Sequence, residues 1–129
     1  ICTNQALCAL AATIYLALLR PQGLRRAAER SVRNAHILQE RVCALEGVKL
    51  VYERPFFNEF LLELPVPVDY VIEKCQAGNL LPGIRAGLED GSGREGLLVC
   101  ATETTRPRDI DGFVNTLSKI LENTRTTVR

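Results

Sequence analysis

Methionine and tryptophan are absent from this sequence, histidine occurs once as His36, and lysine occurs only as Lys49, Lys74 and Lys119. A lone imidazole and no CxxC pair leave no recognisable zinc ligand set, so no metal site is expected. The cysteines, Cys2, Cys8, Cys43, Cys75 and Cys100, are odd in number and far apart. They read as reduced thiols, the last four packed as small hydrophobes. A formal net charge of +1, with no aromatic side chains among the arginines, argues against a nucleic-acid partner. No basic stretch precedes the first apolar run and no small-residue cleavage site follows it, so nothing reads as a secretory signal and the cytoplasm is the expected location. With no initiating methionine, the 129 residues are expected to be a single domain, 1–129, cut from a longer chain.

What is present begins with an apolar stretch. Over residues 6–19 the one strongly polar side chain is Thr13, and the abundant Ala and Leu favour a helix that is apolar around most of its circumference. Such a helix must be covered on several sides, by the rest of the chain or by a partner. Thr3 or Asn4 is placed to cap it, and Pro21 disfavours helical geometry at Arg20 and closes it. The run falls short of the ~17–25 residues that cross a bilayer, so it is expected to pack against protein, with no membrane involved. Cys2, just ahead of the helix, is the one thiol that a helix dipole would activate.

A second helix is expected over 23–45. Leu24, Ala27, Ala28, Val32, Ala35, Leu38, Val42 and Leu45 form one apolar stripe at spacings of three and four, with Gly47 as the stop. The opposite face carries Arg25, Arg26, Arg30, Arg33 and Arg41 against Glu29 and Glu40, which suits either a solvated surface or an acidic partner. His36 falls at the edge of the stripe.

The period then changes from 3.6 to 2. Val48, Leu50 and Tyr52 alternate with Lys49, Val51 and Glu53, and a turn at Arg54-Pro55 leads into a second strand, which makes a hairpin. Phe56, Phe60, Leu62 and Leu64 share one face of that second strand with Asn58, while Glu59 and Glu63 face away. An amide on an apolar face must be pinned by a hydrogen bond or aimed into a site. A short helix through Val68, Val71, Ile72 and Cys75 ends at Gly78-Asn79, and an edge strand follows over 80–85 because Pro82 cannot donate to a ladder. The loop 89–96 lacks the glycine spacing of a phosphate cradle and is expected to join two strands at the surface. The continuous apolar run 97–102 reads as a central strand covered on both faces. A last helix, capped by Thr105 and opened by Pro107, presents Ile110, Phe113, Val114, Leu117, Ile120 and Leu121. The fold class is α+β: a three- to four-stranded antiparallel or mixed sheet with helices on one face. No nucleophile–base pair occurs at a recognisable spacing, and no residue is assigned a catalytic role.

Two motifs carry a resemblance. Ile1-Cys2-Thr3-Asn4-Gln5-Ala6-Leu7-Cys8-Ala9-Leu10-Ala11-Ala12 and Pro55-Phe56-Phe57-Asn58-Glu59-Phe60 are similar to segments of the glycine cleavage system P-protein family, in its separate subunit 1 (alpha) form. Gly83 to Gly87, and Leu97-Leu98-Val99 leading to Thr102-Glu103, resemble further segments in register. The resemblance implies the small C-terminal domain of a pyridoxal-phosphate enzyme of the type I fold. That family decarboxylates glycine and passes the aminomethyl group to lipoylated H-protein. In the two-subunit form the cofactor lysine is expected on subunit 2 (beta), so this piece alone would bind no cofactor and be inactive. The implied partners are subunit 2, H-protein and the chain's own large domain. Cys2, Thr3, Asn4 and Gln5 are candidates at the junction with the large domain, where a helix end offers N–H donors, and Asn58 and Glu59 are candidates for substrate or junction contacts. Capping accounts equally for Thr3 and Asn4. Two alternatives stay open: the small domain of another type I pyridoxal enzyme, and a non-catalytic module that binds a partner through the first helix.

Overall fold

The computed structural model describes residues 5–88 and 93–127. Its elements run α1 (Ala6–Cys43), β1 (Lys49–Leu50), β2 (Glu59–Glu63), α2 (Val68–Ala77), β3 (Ile84–Gly87), β4 (Glu95–Cys100) and α3 (Pro107–Thr127). The two expected N-terminal helices are joined end to end in α1, whose 38 residues are broken at Arg20, where φ is 56° and ψ 173°. Pro21 is the cause: its ring excludes helical geometry at the residue before it. α1 therefore has an outer arm, residues 6–19, and an inner arm, residues 21–43.

The inner arm buries Ser31, Ala35, Leu38 and Val42. Leu24, expected in the same stripe, is half exposed because it lies before the helix reaches the rest of the fold. The helix stops at Cys43, earlier than Gly47; Gly47 instead makes the turn into β1 at φ 87°, against Pro65.

All strand pairings are antiparallel, in the order β1-β2-β4-β3. Phe60 pairs with Val99 and Leu62 with Leu97, and these four side chains, all buried, form the sheet's half of the core. Ala35, Leu38 and Val42 of α1, Val68, Val71 and Cys75 of α2, and Ile110, Phe113 and Leu117 of α3 cover them. The three helices lie on this one face, as the α+β reading expects.

The other face corrects an expectation. β4 is interior to the sheet, but it is covered on one side only: Leu98 is partly open, Cys100 is exposed, and Ile84 opposite Leu98 is 64% exposed. A strand flanked by neighbours on both edges reads as a continuous apolar run even where the second face has no cover among the described residues. Leu61 is the exception on this face. It is buried by lying over Gly96, where a Cβ would meet Leu61 Cδ1 at 2.9 Å.

The remaining elements differ in detail. β1 is only two residues long, though Val51 extends the pairing by donating its N–H to the Leu61 carbonyl at 3.0 Å. The edge strand begins at Ile84 rather than at residue 80. Gly83 precedes it at φ 144°, where any Cβ would overlap the Leu98 carbonyl oxygen. Residues 89–92 of the β3–β4 connection lie outside the described residues, and Leu88 N–H to the Arg94 carbonyl, 2.9 Å, closes that connection. Thr105 does not cap α3. Its hydroxyl accepts from the Thr102 N–H, and the Asp109 carboxylate reaches back to the Arg106 N–H at 2.9 Å, half of a capping box.

Candidate functional site

The C-terminal end of β4 gathers polar groups across its pairing with β2. Asn58, just before β2, accepts the Ala101 N–H with its backbone carbonyl at 3.0 Å and donates its side-chain amide to Cys100 Sγ at 3.4 Å. Glu59 stands opposite Cys100 in the strand register, and its carboxylate accepts the thiol's hydrogen bond. Partial burial pushes the Cys100 thiol up from its ordinary value, and the Glu59 charge and hydrogen bond push it further the same way. Two sequence candidates, Asn58 and Glu59, are thus brought together on a third residue. Cys100, expected to be packed away, is exposed beside them.

A second polar cluster joins α1 to the β4–α3 turn. The Asn34 side chain donates to the carbonyls of Thr102 and Thr105, each at 2.9 Å, and Ser31 Oγ lies 3.3 Å from Glu103 Oε2. Sequence reasoning passed over Ser31 and Asn34. The signal was two small polar residues among apolar positions, and buried polar groups imply a partner. Beyond this turn, an open groove of about 550 Å³ runs between residues 78–82, Cys100, Thr104 and the first turns of α3. Asn79 enters it at φ 56°. Arg106 holds the Asp109 carboxyl below the usual carboxylate range through hydrogen bonds from its side chain and backbone. A second groove, about 410 Å³, lies on the open sheet face between Tyr52, Pro55, Leu61 and Leu98.

The arrangement offers amides, hydroxyls and a thiol held neutral. It can orient and hydrogen-bond a neighbour, but the raised thiol makes Cys100 a poor nucleophile.

The N-terminal candidates fare differently. Cys2, Thr3 and Asn4 lie outside the described residues. Gln5 occupies the N-cap position of α1, is exposed, and makes no side-chain capping bond. Past it the outer arm carries Leu7, Leu10, Ile14, Tyr15, Leu16 and Leu18, every one at least half exposed, with Leu7 at 79% and Leu18 at 78%. Cys8, expected to be packed, is exposed with them. Thr13 Oγ1 donates to the Ala9 carbonyl at 2.8 Å, a bond internal to this arm. His36 is at the stripe's edge as expected, its ring stacked on Phe56 at 4.2 Å between centroids.

The family model of the glycine cleavage system P-protein matches residues 1–117. The chain belongs to the glycine cleavage system P-protein family. Among relatives of that family, it is 46% identical over 121 residues to the probable glycine dehydrogenase (decarboxylating) subunit 1 of Chlorobium limicola, covering 93% of this chain and 26% of the relative. It is 42% identical over 123 residues to the protein of the same description from Nitrosospira multiformis, covering 95% and 27%. The crystal structure of a glycine decarboxylase P-protein in inhibitor-bound form superposes with a TM-score of 0.83 at 33% identity, over 93% of this chain and 27% of that one. A sphingosine-1-phosphate lyase from Burkholderia pseudomallei superposes at 0.65 over 83% of this chain and 23% of its own, and at 20% identity that likeness bears on fold alone. The architecture is therefore that of a small domain of the P-protein's type I fold, as the motifs implied. The chain spans about a quarter of the length of the P-protein relatives it matches.

Proposed function

We propose that this chain is the small-domain part of subunit 1 of a glycine dehydrogenase (decarboxylating), and that its outer arm is a docking rod for the rest of that subunit. The observation that carries the reading is the bare apolar arm. Burying six large side chains of this kind against protein stabilises by roughly 1.5–3 kcal/mol each, and the inner fold covers almost none of that surface. A family member that spans a quarter of its relatives leaves ample protein to cover it.

By length and composition α1 would pass as a bilayer span. The break at Arg20 leaves a straight run of roughly 21 Å over residues 6–19, short of the ~30 Å hydrocarbon core, which favours a protein partner.

In this reading the assembled enzyme decarboxylates glycine and hands the aminomethyl group to lipoylated H-protein, with subunit 2 as the second partner. Pyridoxal phosphate, when bound in such an enzyme, supplies an electron sink for the glycine Cα–C bond. The residues described here do not fit its attachment. Lys49 lies on a sheet edge, Lys74 stands 5.4 Å from the Tyr70 ring centroid, Lys119 is on the exposed side of α3, and none lines either groove. We place the cofactor lysine on subunit 2, as the family resemblance implies. What this chain contributes is position: Asn58, Glu59 and Cys100 at one end of the sheet, tied by Asn34 to the inner arm of α1, present a rigid face to the remainder of the enzyme.

The test mixes full-length subunit 1 with subunit 2 and H-protein and measures glycine-dependent exchange of labelled carbon dioxide. Exchange is expected from the mixture and absent with either subunit alone. A mixture without exchange, or full exchange from subunit 1 alone, would reject the assignment.

A further inference from the structure

His36 is exposed on the inner arm of α1, outside the polar group at the end of β4, but its ring is not free. It lies parallel to the Phe56 ring, 4.2 Å between centroids and 4° between planes. His36 Nδ1 stands 2.9 Å from the Val32 carbonyl oxygen, one turn back along the same helix. A carbonyl only accepts, so this nitrogen carries the hydrogen and the bond sets the orientation of the ring. On its other side Phe56 leans on Phe60, with centroids 5.4 Å apart and planes at 49°, and Phe60 is buried. A row of three rings therefore runs from the exposed side of α1 into the core.

The row ends where the sheet is least supported. β1 pairs with Leu62 and Glu63, and Val51 adds one bond at Leu61, so β2 has a strand on both sides only from Leu61 onward. Over residues 58–60 its paired neighbour among the described residues is β4, through Glu59 with Cys100, Phe60 with Val99, and the Ala101 N–H on the Asn58 carbonyl at 3.0 Å. That last bond is the end rung of the ladder, and end rungs open more easily than central ones. Asn58, Glu59 and Cys100 all sit at this end. Phe56 is two residues from Asn58, so a ring clamped between His36 and Phe60 secures the side that β1 leaves open.

We propose that His36 is a positioning residue for Asn58, Glu59 and Cys100: its ring clamps Phe56, and through Phe56 it holds the entry to β2 in the place from which those three residues meet the rest of the enzyme. The proposal rests on the function proposed above, in which this end of the sheet faces the remainder of a glycine dehydrogenase. Histidine suits the task because it joins a flat face for stacking to a ring nitrogen that ties it to its own helix. An aliphatic side chain offers neither.

The experiment uses full-length subunit 1, alone and mixed with subunit 2. His36→Phe keeps the stack and loses the Val32 bond, whereas His36→Asn keeps a hydrogen-bonding group and loses the stack. Amide hydrogen exchange, read by mass spectrometry, follows the peptide containing Ala101, whose N–H reports the end rung, against the peptide containing Leu117 in the α3 core. In His36→Asn the Ala101 peptide should exchange about three- to tenfold faster, the range that one aromatic pair supports, with the Leu117 peptide unchanged. His36→Phe should stay within about twofold of the wild type. Phe56→Leu, which removes the stack from the partner ring, should accelerate the Ala101 peptide as well, and adding His36→Asn to it should have no further effect. Labelled carbon dioxide exchange by the two-subunit mixture should fall in His36→Asn and recover in His36→Phe.

Any of five results would overturn the proposal. They are Ala101 exchange in His36→Asn equal to the wild type, equal acceleration of the Ala101 and Leu117 peptides, no recovery in His36→Phe, additive effects in the double variant, and undiminished carbon dioxide exchange in His36→Asn. The amide readout needs no catalysis, so a failed positioning role and a failed enzyme assignment give different results.

Discussion

The two arms of α1 share a backbone and almost nothing else. The inner arm sets Ser31, Ala35, Leu38 and Val42 into a core shared with the sheet and α3, and Asn34 reaches across to two carbonyls of the β4–α3 turn. The outer arm is the more apolar of the two and is bare. Apolar content alone therefore does not say where the core is. A self-sufficient amphipathic helix has one stripe, as the inner arm does, while a helix apolar all round signals cover from outside its own domain.

The largest expected difference between the arms is in stability. Leu38→Ala should cost about 2–5 kcal/mol in chemical denaturation of this chain, because it opens a cavity among α1, the sheet and α3. Leu10→Ala should change it by less than about 0.5 kcal/mol, since that side chain is 56% exposed. In full-length subunit 1 the contrast should shrink, with Leu10→Ala becoming costly. If it stays silent there, the arm is not a packing element.

Asn34→Ala sharpens the inner side of the comparison. Removing a side chain that satisfies the Thr102 and Thr105 carbonyls should cost about 1–3 kcal/mol and loosen the turn beside Cys100. The boundary between the arms should respond in the opposite direction. Arg20→Gly relieves a positive φ that an L side chain rarely adopts, and a gain of roughly 1 kcal/mol in thermal or denaturant unfolding is expected. An equal loss would mean that the Arg20 side chain has a role of its own.

Two smaller effects concern titration. Burial and, after it, Glu59 raise the Cys100 thiol, so Glu59→Gln removes part of that effect and alkylation of Cys100 near pH 8 should speed up, read by mass spectrometry. The Asp109 carboxyl is held below its unfolded value by Arg106, so its contribution is present above the unfolded pKa of about 4 and fades as pH falls through the lower folded value. Asp109→Asn should therefore lower stability slightly at neutral pH, converge with the wild type once pH falls below the folded value, and so flatten the acid limb of the stability curve.

Much of this was legible in the residues. The helical periods of Ala35-Leu38-Val42 and Ile110-Phe113-Leu117 marked the core faces, Pro21 marked the break, and Phe60 and Leu62 fixed the sheet's inner side. The bare arm was legible as a demand for cover. The errors have physical causes. Leu97, Leu98 and Val99 read as a strand covered twice because a continuous apolar run does not distinguish protein cover from cover supplied elsewhere. Cys8 and Cys100 read as buried because small hydrophobes usually are. The thiol–carboxylate–amide group at the end of β4 needs Asn58 and Cys100 to meet across two paired strands, and only the register brings them together.

Cys8 offers the most direct test, since its thiol sits on the outer arm and is exposed here. Full-length subunit 1 should be treated with a maleimide under native conditions and again after unfolding, and the peptide containing Cys8 quantified by mass spectrometry. The account predicts that Cys8 is protected in the native subunit and labelled once it unfolds. Fast native labelling of Cys8, at the rate of an open thiol, would contradict the claim that this helix lies against the rest of the enzyme.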